Sequence, residues 1–309
     1  MKFIRLLMII GMLLQPGSAV FGTAAEPLPI IADTATGRPV TAADIAAACN
    51  GGGGVVFFGE LHDSTPAHAA ELALLQSLYA RYGDRTVLSL EMFERDTQVL
   101  TDDFLAGRIT EETFLERSRP WPNYDTAYRP LVMFAKEKKI PVIAANIPRR
   151  IAAAYAHGRK LSEIDEPDRQ YLPRVHKDGS AAYKEKFALT LRSLKEGAMA
   201  VPEERIAPMF RAQCLKDDTM AESIGDYAAA HPSSLILHVQ GAFHSEGGLG
   251  VPEKLRDLRP GIHILLVNCV EYDAASDDIS RAVAAHRRDG DYLVFARRYK
   301  KINKNGGFL

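Results

Sequence analysis

The chain has 309 residues, 47% hydrophobic and 25% charged, so it can bury a large core, and disorder is excluded as its default state. A formal net charge of -1 argues against the broad basic surface that nucleic acid requires. Cys49, Cys214 and Cys269 allow at most one disulfide and show no Cys-x-x-Cys spacing, so they read as buried thiols and not as a redox or zinc centre.

The first segment has a secretory pattern. Lys2 and Arg5 accompany an apolar run that ends at Leu14, Gln15-Pro16-Gly17 breaks it, and small residues follow through Ala25. The run is shorter than the ~20 residues that span a bilayer. Residues 1–25 are therefore expected to be a signal peptide, cleaved after Ala19 or Ala25, and the protein is expected to be exported to the periplasm. Loss of Lys2 and Arg5 takes the net charge from -1 to -3. The first cysteine is Cys49, so no lipidation cysteine follows the apolar run. The alternative is an uncleaved N-terminal anchor.

Further along, short apolar runs alternate with helical patterns. The spacing predicts strands at Val55–Phe58, Thr86–Leu90, Pro141–Ala145, Leu235–Val239, His263–Val270 and Tyr292–Ala296. Most are continuously apolar, as strands buried on both faces of a parallel sheet are. Helices are predicted over Ala67–Tyr82, where Leu72, Leu75, Leu78 and Tyr79 share a side, and over Thr126–Lys139. Residues 149–231 carry no strong strand; helices are expected from Ile151, over Ala181–Glu196 and over Glu203–Ala230, forming an insertion over one end of the sheet. The expected fold is α/β, with a mostly parallel central sheet, flanking helices and this insertion above the carboxyl ends of the strands. Residues 26–309 are expected to form one such domain. The basic tail Arg297–Lys304 reads as a solvated terminus.

In open parallel sheets ligands bind outside the carboxyl ends of the strands. Four expected strands end in Gly59-Glu60-Leu61-His62, Glu91-Met92-Phe93-Glu94, Asn146-Ile147-Pro148-Arg149 and Gly241-Ala242-Phe243-His244. They deliver Glu60, His62, Glu91, Asn146, Arg149 and His244 to one rim. Glu60, His62 and His244 offer a mixed nitrogen and oxygen shell for a divalent metal. Glu91 suits a ligand or a general base, and Arg149 an anion clamp. The competing reading is an internal hydrogen-bond network among buried charges. His68 could face this site or solvent, and His238, inside an apolar strand, reads as a satisfied core histidine. The chain has no Gly-x-Ser-x-Gly elbow and no His-Glu-x-x-His pair, and Gly51–Gly54 precedes a strand instead of opening a helix.

Seven short blocks then occur in a telling order. They are Phe58-Gly59-Glu60-Leu61-His62-Asp63, Leu90-Glu91-Met92-Phe93, Trp121-Pro122-Asn123-Tyr124, Tyr128-Arg129-Pro130-Leu131, Ala145-Asn146-Ile147-Pro148-Arg149, the stretch Gln213 to Ser223, and Gly241-Ala242-Phe243-His244 with Gly250-Val251-Pro252. Together they resemble the ChaN-like haem-binding proteins of the haem-binding uptake/Tiki superfamily. The resemblance covers about Val55 to Leu266. It implies an erythromycin esterase/ChaN-like α/β fold, export, haem as ligand and a link to haem or iron acquisition. A homodimer and an outer-membrane haem uptake system are the implied partners. Haem iron needs an axial Tyr or His, and on the resemblance the expected haem residues are Tyr124, Tyr128, Arg129, His176 and Tyr183. Tiki and TraB proteins use paired Gly-x-x-His motifs in metal-dependent peptidases. The alternative function is therefore a metal-dependent hydrolase using Glu60, His62, Glu91, Arg149 and His244. Two departures from the family pattern are the missing lipidation cysteine and Gly-Ala-Phe-His where Gly-Asn-Gly-His is commoner.

Overall fold

A computed structural model describes residues 29–49, 51–193, 201–273 and 277–297. The expected signal peptide, the last residues of the helix expected to reach Glu196, and the basic tail after Arg297 lie outside the described residues. In chain order the elements are β1 (Ile30–Asp33), β2 (Pro39–Val40), α1 (Ala42–Ala48), β3 (Gly54–Glu60), α2 (Thr65–Tyr82), β4 (Thr86–Glu94), α3 (Gln98–Leu105), α4 (Glu111–Ser118), α5 (Tyr124–Ala127) and α6 (Arg129–Lys138). They continue with β5 (Val142–Asn146), α7 (Arg149–Ala156), α8 (Glu166–Arg169), α9 (Ala181–Ser193), α10 (Glu203–Ala230), β6 (Leu235–Gly241), α11 (Val251–Leu258), β7 (Ile264–Tyr272), α12 (Ile279–His286) and β8 (Tyr292–Arg297).

The sheet order is β2-β1-β8-β7-β3-β6-β4-β5. The six strands from β8 to β5 run parallel, and β1 and β2 add an antiparallel edge. The parallel core is the one the apolar runs predict. The edge strands went unpredicted because four and two residues carry no readable alternation.

Side chains of β3 alternate between two cores, as the two-residue period of a strand requires. Val56 and Phe58 pack with Leu74, Leu75 and Leu78 of α2 and Leu131 of α6. Val55 and Phe57 pack with Met220 and Ile224 of α10 and Leu255 of α11. The second half of α10 is thus a flanking helix, while its first half continues past the strand ends, where Phe210 and Cys214 meet Tyr183 and Phe187 of α9. The expected insertion therefore covers the strand ends and one sheet face with a single long helix.

Local signals explain the helix ends. The Ser64 hydroxyl accepts from the Ala67 amide, Pro66 occupies the first turn of α2, and Gly83 closes it at φ +57°. The helix expected over Thr126–Lys139 is two helices, α5 and α6. Pro130 has no N–H to donate back toward Thr126, so a new helix starts at Arg129.

The connections leaving β3 and β6 depart to opposite faces. The one after β3 is α2, on the first core, and the one after β6 leads to α11, on the second. β3 and β6 are neighbours, with Glu60 opposite Gly241. A crevice opens at the carboxyl ends of such a pair, and both Gly-x-x-His motifs stand on it.

Candidate functional site

The motif glycines are fixed by close approach. A Cβ at Gly59 would lie 1.9 Å from Asn268 Oδ1 and 2.8 Å from the Ala242 Cα. A Cβ at Gly241 would lie 2.7 Å from His62 Nε2. The second motif's glycine thus makes room for the first motif's histidine, which ties the two motifs into one structure.

Glu60, at the end of β3, points to the α2 side with Val56 and Phe58. Its Oε1 accepts from His62 Nδ1 at 2.5 Å and from the Tyr128 hydroxyl at 2.7 Å. Its Oε2 lies 3.2 Å from His68 Nδ1. His68 also donates from Nδ1 to Glu71 Oε2 at 3.2 Å and from Nε2 to the His62 carbonyl at 3.0 Å. His62 is the more open member, with 16% of its side chain exposed and its ring set edge-on to Trp121.

The second cluster lies across Gly241. Glu91 Oε2 accepts the Gly241 N–H at 2.8 Å, and Oε1 lies 3.3 Å from His244 Nε2. His244 Nδ1 donates to Asp217 Oδ1 at 2.5 Å. Gln213, one turn before Asp217 on α10, places its amide nitrogen 3.1 Å from His244 Nε2 and 3.3 Å from the Tyr183 hydroxyl. Asn146 donates to the Glu91 backbone carbonyl at 3.0 Å, so it braces the rim.

Electrostatics follow from burial and pairing. Burial alone would raise Glu60, but hydrogen bonds and charge from His62 and His68 hold it well below the usual carboxylate range. Burial is likewise overcome at Glu91, chiefly by His244, and it too stays low. Burial would depress the imidazoles, yet the carboxylates win: His62 is raised by Glu60, His68 by Glu71 and Glu60 to about 11, and His244 by Glu91 and Asp217 to about 9. Burial, helped by the Glu60 charge, raises Glu71 well above its ordinary value.

The structure brings Glu60, His62, Glu91 and His244 together as the sequence predicts, with Asn146 beneath them. Arg149 instead sits exposed on the first turn of α7, and among the described residues no hydrogen bond or ion pair joins it to the cluster. Nor do the ligand atoms of Glu60, His62 and His244 gather around one point; those of Glu60, His68 and Glu71 do, within 4.8 Å of one another.

Among the residues expected at haem, Tyr128 and Tyr183 are fully buried and Tyr124 is 3% exposed. Tyr124 packs at an angle against Phe93 and Phe114, Tyr183 against Phe210 and Phe243, and Arg129 pairs with Glu111. His176 keeps 14% of its side chain exposed. Its Nδ1 donates to Asp218 Oδ2 at 2.8 Å, its Nε2 lies 3.1 Å from the Tyr155 hydroxyl, and Lys254 Nζ holds the other Asp218 oxygen at 3.0 Å.

Sequence reasoning left His68 open between the site and solvent, and missed Glu71, Asp217, Gln213 and Tyr155 as site residues. The available signals were helical: His68 and Glu71 are three apart, and Gln213 and Asp217 four apart, so each pair shares a helix face. His238 is buried in the core as expected, with Nδ1 2.8 Å from the Ser89 hydroxyl and the ring pushed down to about 3 by burial, but it is not the fully satisfied histidine expected, since among the described residues its Nε2 has no hydrogen-bond partner.

The family described as haem-binding uptake, Tiki superfamily, ChaN matches residues 50–255. Similar solved structures include ChaN of Campylobacter jejuni, reported with cofacial heme binding. It is 18% identical, with a TM-score of 0.62 over 88% of this chain and 100% of that chain. A mutant of the erythromycin esterase EreC in its open conformation is 15% identical, with a TM-score of 0.41 over 71% of this chain and 70% of that one. At 18% identity the Campylobacter likeness is one of fold. No curated protein matches the chain.

Proposed function

The chain belongs to the haem-binding uptake, Tiki superfamily, ChaN family, and from that premise we propose that it is a haem-binding protein whose iron ligand is Tyr155, backed by His176. The observation that carries the ligand assignment is the line Tyr155–His176–Asp218. A phenol bound to iron must give up its proton, and an imidazole anchored on a buried carboxylate is suited to take it at Nε2. Burial raises the Tyr155 phenol, and the Arg211 guanidinium beside it acts in the opposite sense. Arg211 and the exposed Lys177 are suited to the carboxylates of haem, and half-exposed Val175 offers apolar surface next to His176.

This choice departs from Tyr124, Tyr128 and Tyr183 because their phenols are enclosed by packing. It retains His176, in a supporting role. Hemin titration tests it. The wild type is expected to develop a saturable Soret band, and Tyr155→Phe and His176→Ala to weaken binding at least tenfold. Tyr124→Phe and Tyr128→Phe are expected to leave it unchanged. Absence of a saturable band, or a Tyr155→Phe/His176→Ala double variant that titrates like the wild type, would overturn the proposal.

We further propose export to the periplasm and a part in haem or iron acquisition alongside an outer-membrane uptake system. The signal-like pattern from Lys2 to Ala25 supports export. Mass spectrometry of the chain recovered from a periplasmic fraction should give an N-terminus at Val20 or Glu26; an intact Met1 in the cytoplasm would refute this. A homodimer that stacks two haems is the partner arrangement proposed, read by sedimentation with and without hemin. Metal-dependent hydrolysis at the paired motifs is not favoured, because Nδ1 of His62 and Nδ1 of His244 are taken by Glu60 and Asp217, and the ligand atoms of Glu60, His62 and His244 do not meet around one point.

A further inference from the structure

Outside the haem reading, one side-chain group has a need that the protein alone leaves unmet. His68 opens the first turn of α2, and Glu71 follows on the same face; Glu60 reaches them from the end of β3. His68 Nε2 is 3.0 Å from the His62 carbonyl oxygen, which can only accept, so Nε2 carries a hydrogen. In the neutral ring the Nδ1 lone pair then faces two carboxylate oxygens, Glu60 Oε2 and Glu71 Oε2, each at 3.2 Å. Lone pairs and carboxylates repel, so either a proton on Nδ1 or a metal ion lies between them.

One proton on Nδ1 is at best divided between the two oxygens. The hydrogen bond formed is the one to Glu71 Oε2, and among the described residues Glu60 Oε2 and Glu71 Oε1 are buried without a hydrogen-bond partner. Glu60 is 2% exposed and Glu71 is fully buried, so no solvent compensates them. A divalent ion does for three donors what one proton does for two. Donor atoms bound at ~2.1 Å in a tetrahedral shell lie ~3.4 Å apart, close to the 3.2 Å spacings found. The supporting contacts are those that orient metal ligands. The His62 carbonyl fixes the His68 tautomer, and His62 and Tyr128 hold the other Glu60 oxygen.

We propose that Glu60, His68 and Glu71 form a buried site for one divalent first-row transition ion, with zinc or manganese suited to one imidazole and two carboxylates. The ion would fasten the start of α2 to the end of β3 and so fix Glu60 and His62 of the first motif. It lies on the α2 side of the sheet, apart from the Asp217–His244–Glu91 line.

The test uses the full-length chain, stripped with chelator and incubated separately with Co²⁺ and Zn²⁺. One equivalent is expected to survive gel filtration, with visible cobalt bands and a raised thermal midpoint. His68→Gln and the near-isosteric Glu71→Gln should retain under a tenth of an equivalent, while His244→Gln should retain the full one. The proposal is overturned if the wild type retains no metal, if both His68→Gln and Glu71→Gln keep a full equivalent, or if His244→Gln loses it. Should the variants fail to fold by circular dichroism, X-ray absorption of the metal-loaded wild type decides. One imidazole in the shell supports the site, and two or more refute it.

Discussion

His244 provides the sharpest quantitative test of the site. Burial opposes its charge, but Glu91 and Asp217 raise its imidazole from the ordinary 6.5 to about 9. At about 1.4 kcal/mol for each tenfold gain in proton affinity, that difference corresponds to about 3 kcal/mol of stability. The folded state holds the proton more tightly than the unfolded chain. The stabilisation is therefore complete below pH ~6.5 and is lost as pH rises through ~9. His244→Gln removes that proton and leaves Asp217 and Glu91 buried without their cation, which should cost about 3–5 kcal/mol at pH ~6. Urea unfolding of both proteins at pH ~6 and ~9.5 reads the effect, because titrations common to both cancel in the difference. The wild type's advantage should shrink by about 3 kcal/mol between the two conditions. An advantage independent of pH would mean that His244 is neutral in the fold and that Glu91 and Asp217 do not hold its proton.

Other predictions follow from the same contacts. Gly241→Ala drives a methyl group against His62 and should cost about 1–3 kcal/mol, with a change in Trp121 fluorescence; Gly51→Ala, which meets nothing within 4 Å, should be silent in the same melts. Tyr128→Phe removes a donor from Glu60 and should cost about 1–3 kcal/mol without altering hemin affinity. Glu91 is held low, so its contribution is present above its ordinary value of 4.5 and is lost as pH falls through the lower folded value; acid unfolding of Glu91→Gln should be correspondingly less steep. All three cysteines are free and buried, and burial pushes Cys49 up to about 11, so a thiol reagent should label none in the native protein and three after denaturation.

The sequence by itself determined the parallel sheet and the position of both motifs. A strand buried on both faces needs a continuous apolar run, so Val55–Phe58 or Leu235–Val239 can be read without knowing its neighbours. The rule that ligands gather at strand ends then places Glu60, His62, Glu91 and His244 on one rim. The tertiary structure alone decided what those residues touch. Asp217 reaches His244 from a helix 27 positions earlier, and Tyr128 reaches Glu60 across 68. Local periodicity gives the face of a helix but not the strand it is laid against. Arg149 shows the same limit from the other side: it follows a strand end, yet α7 begins at that residue and leaves it exposed. The tyrosines show it too, since aromatic residues beside a motif can pack inward, as Tyr124 and Tyr128 do. Tyr155, outside all seven blocks, is only partly buried and lies next to His176. The paired Gly-x-x-His motifs were legible as two signals; that Gly241 exists to seat His62 became visible only when β3 and β6 lay side by side.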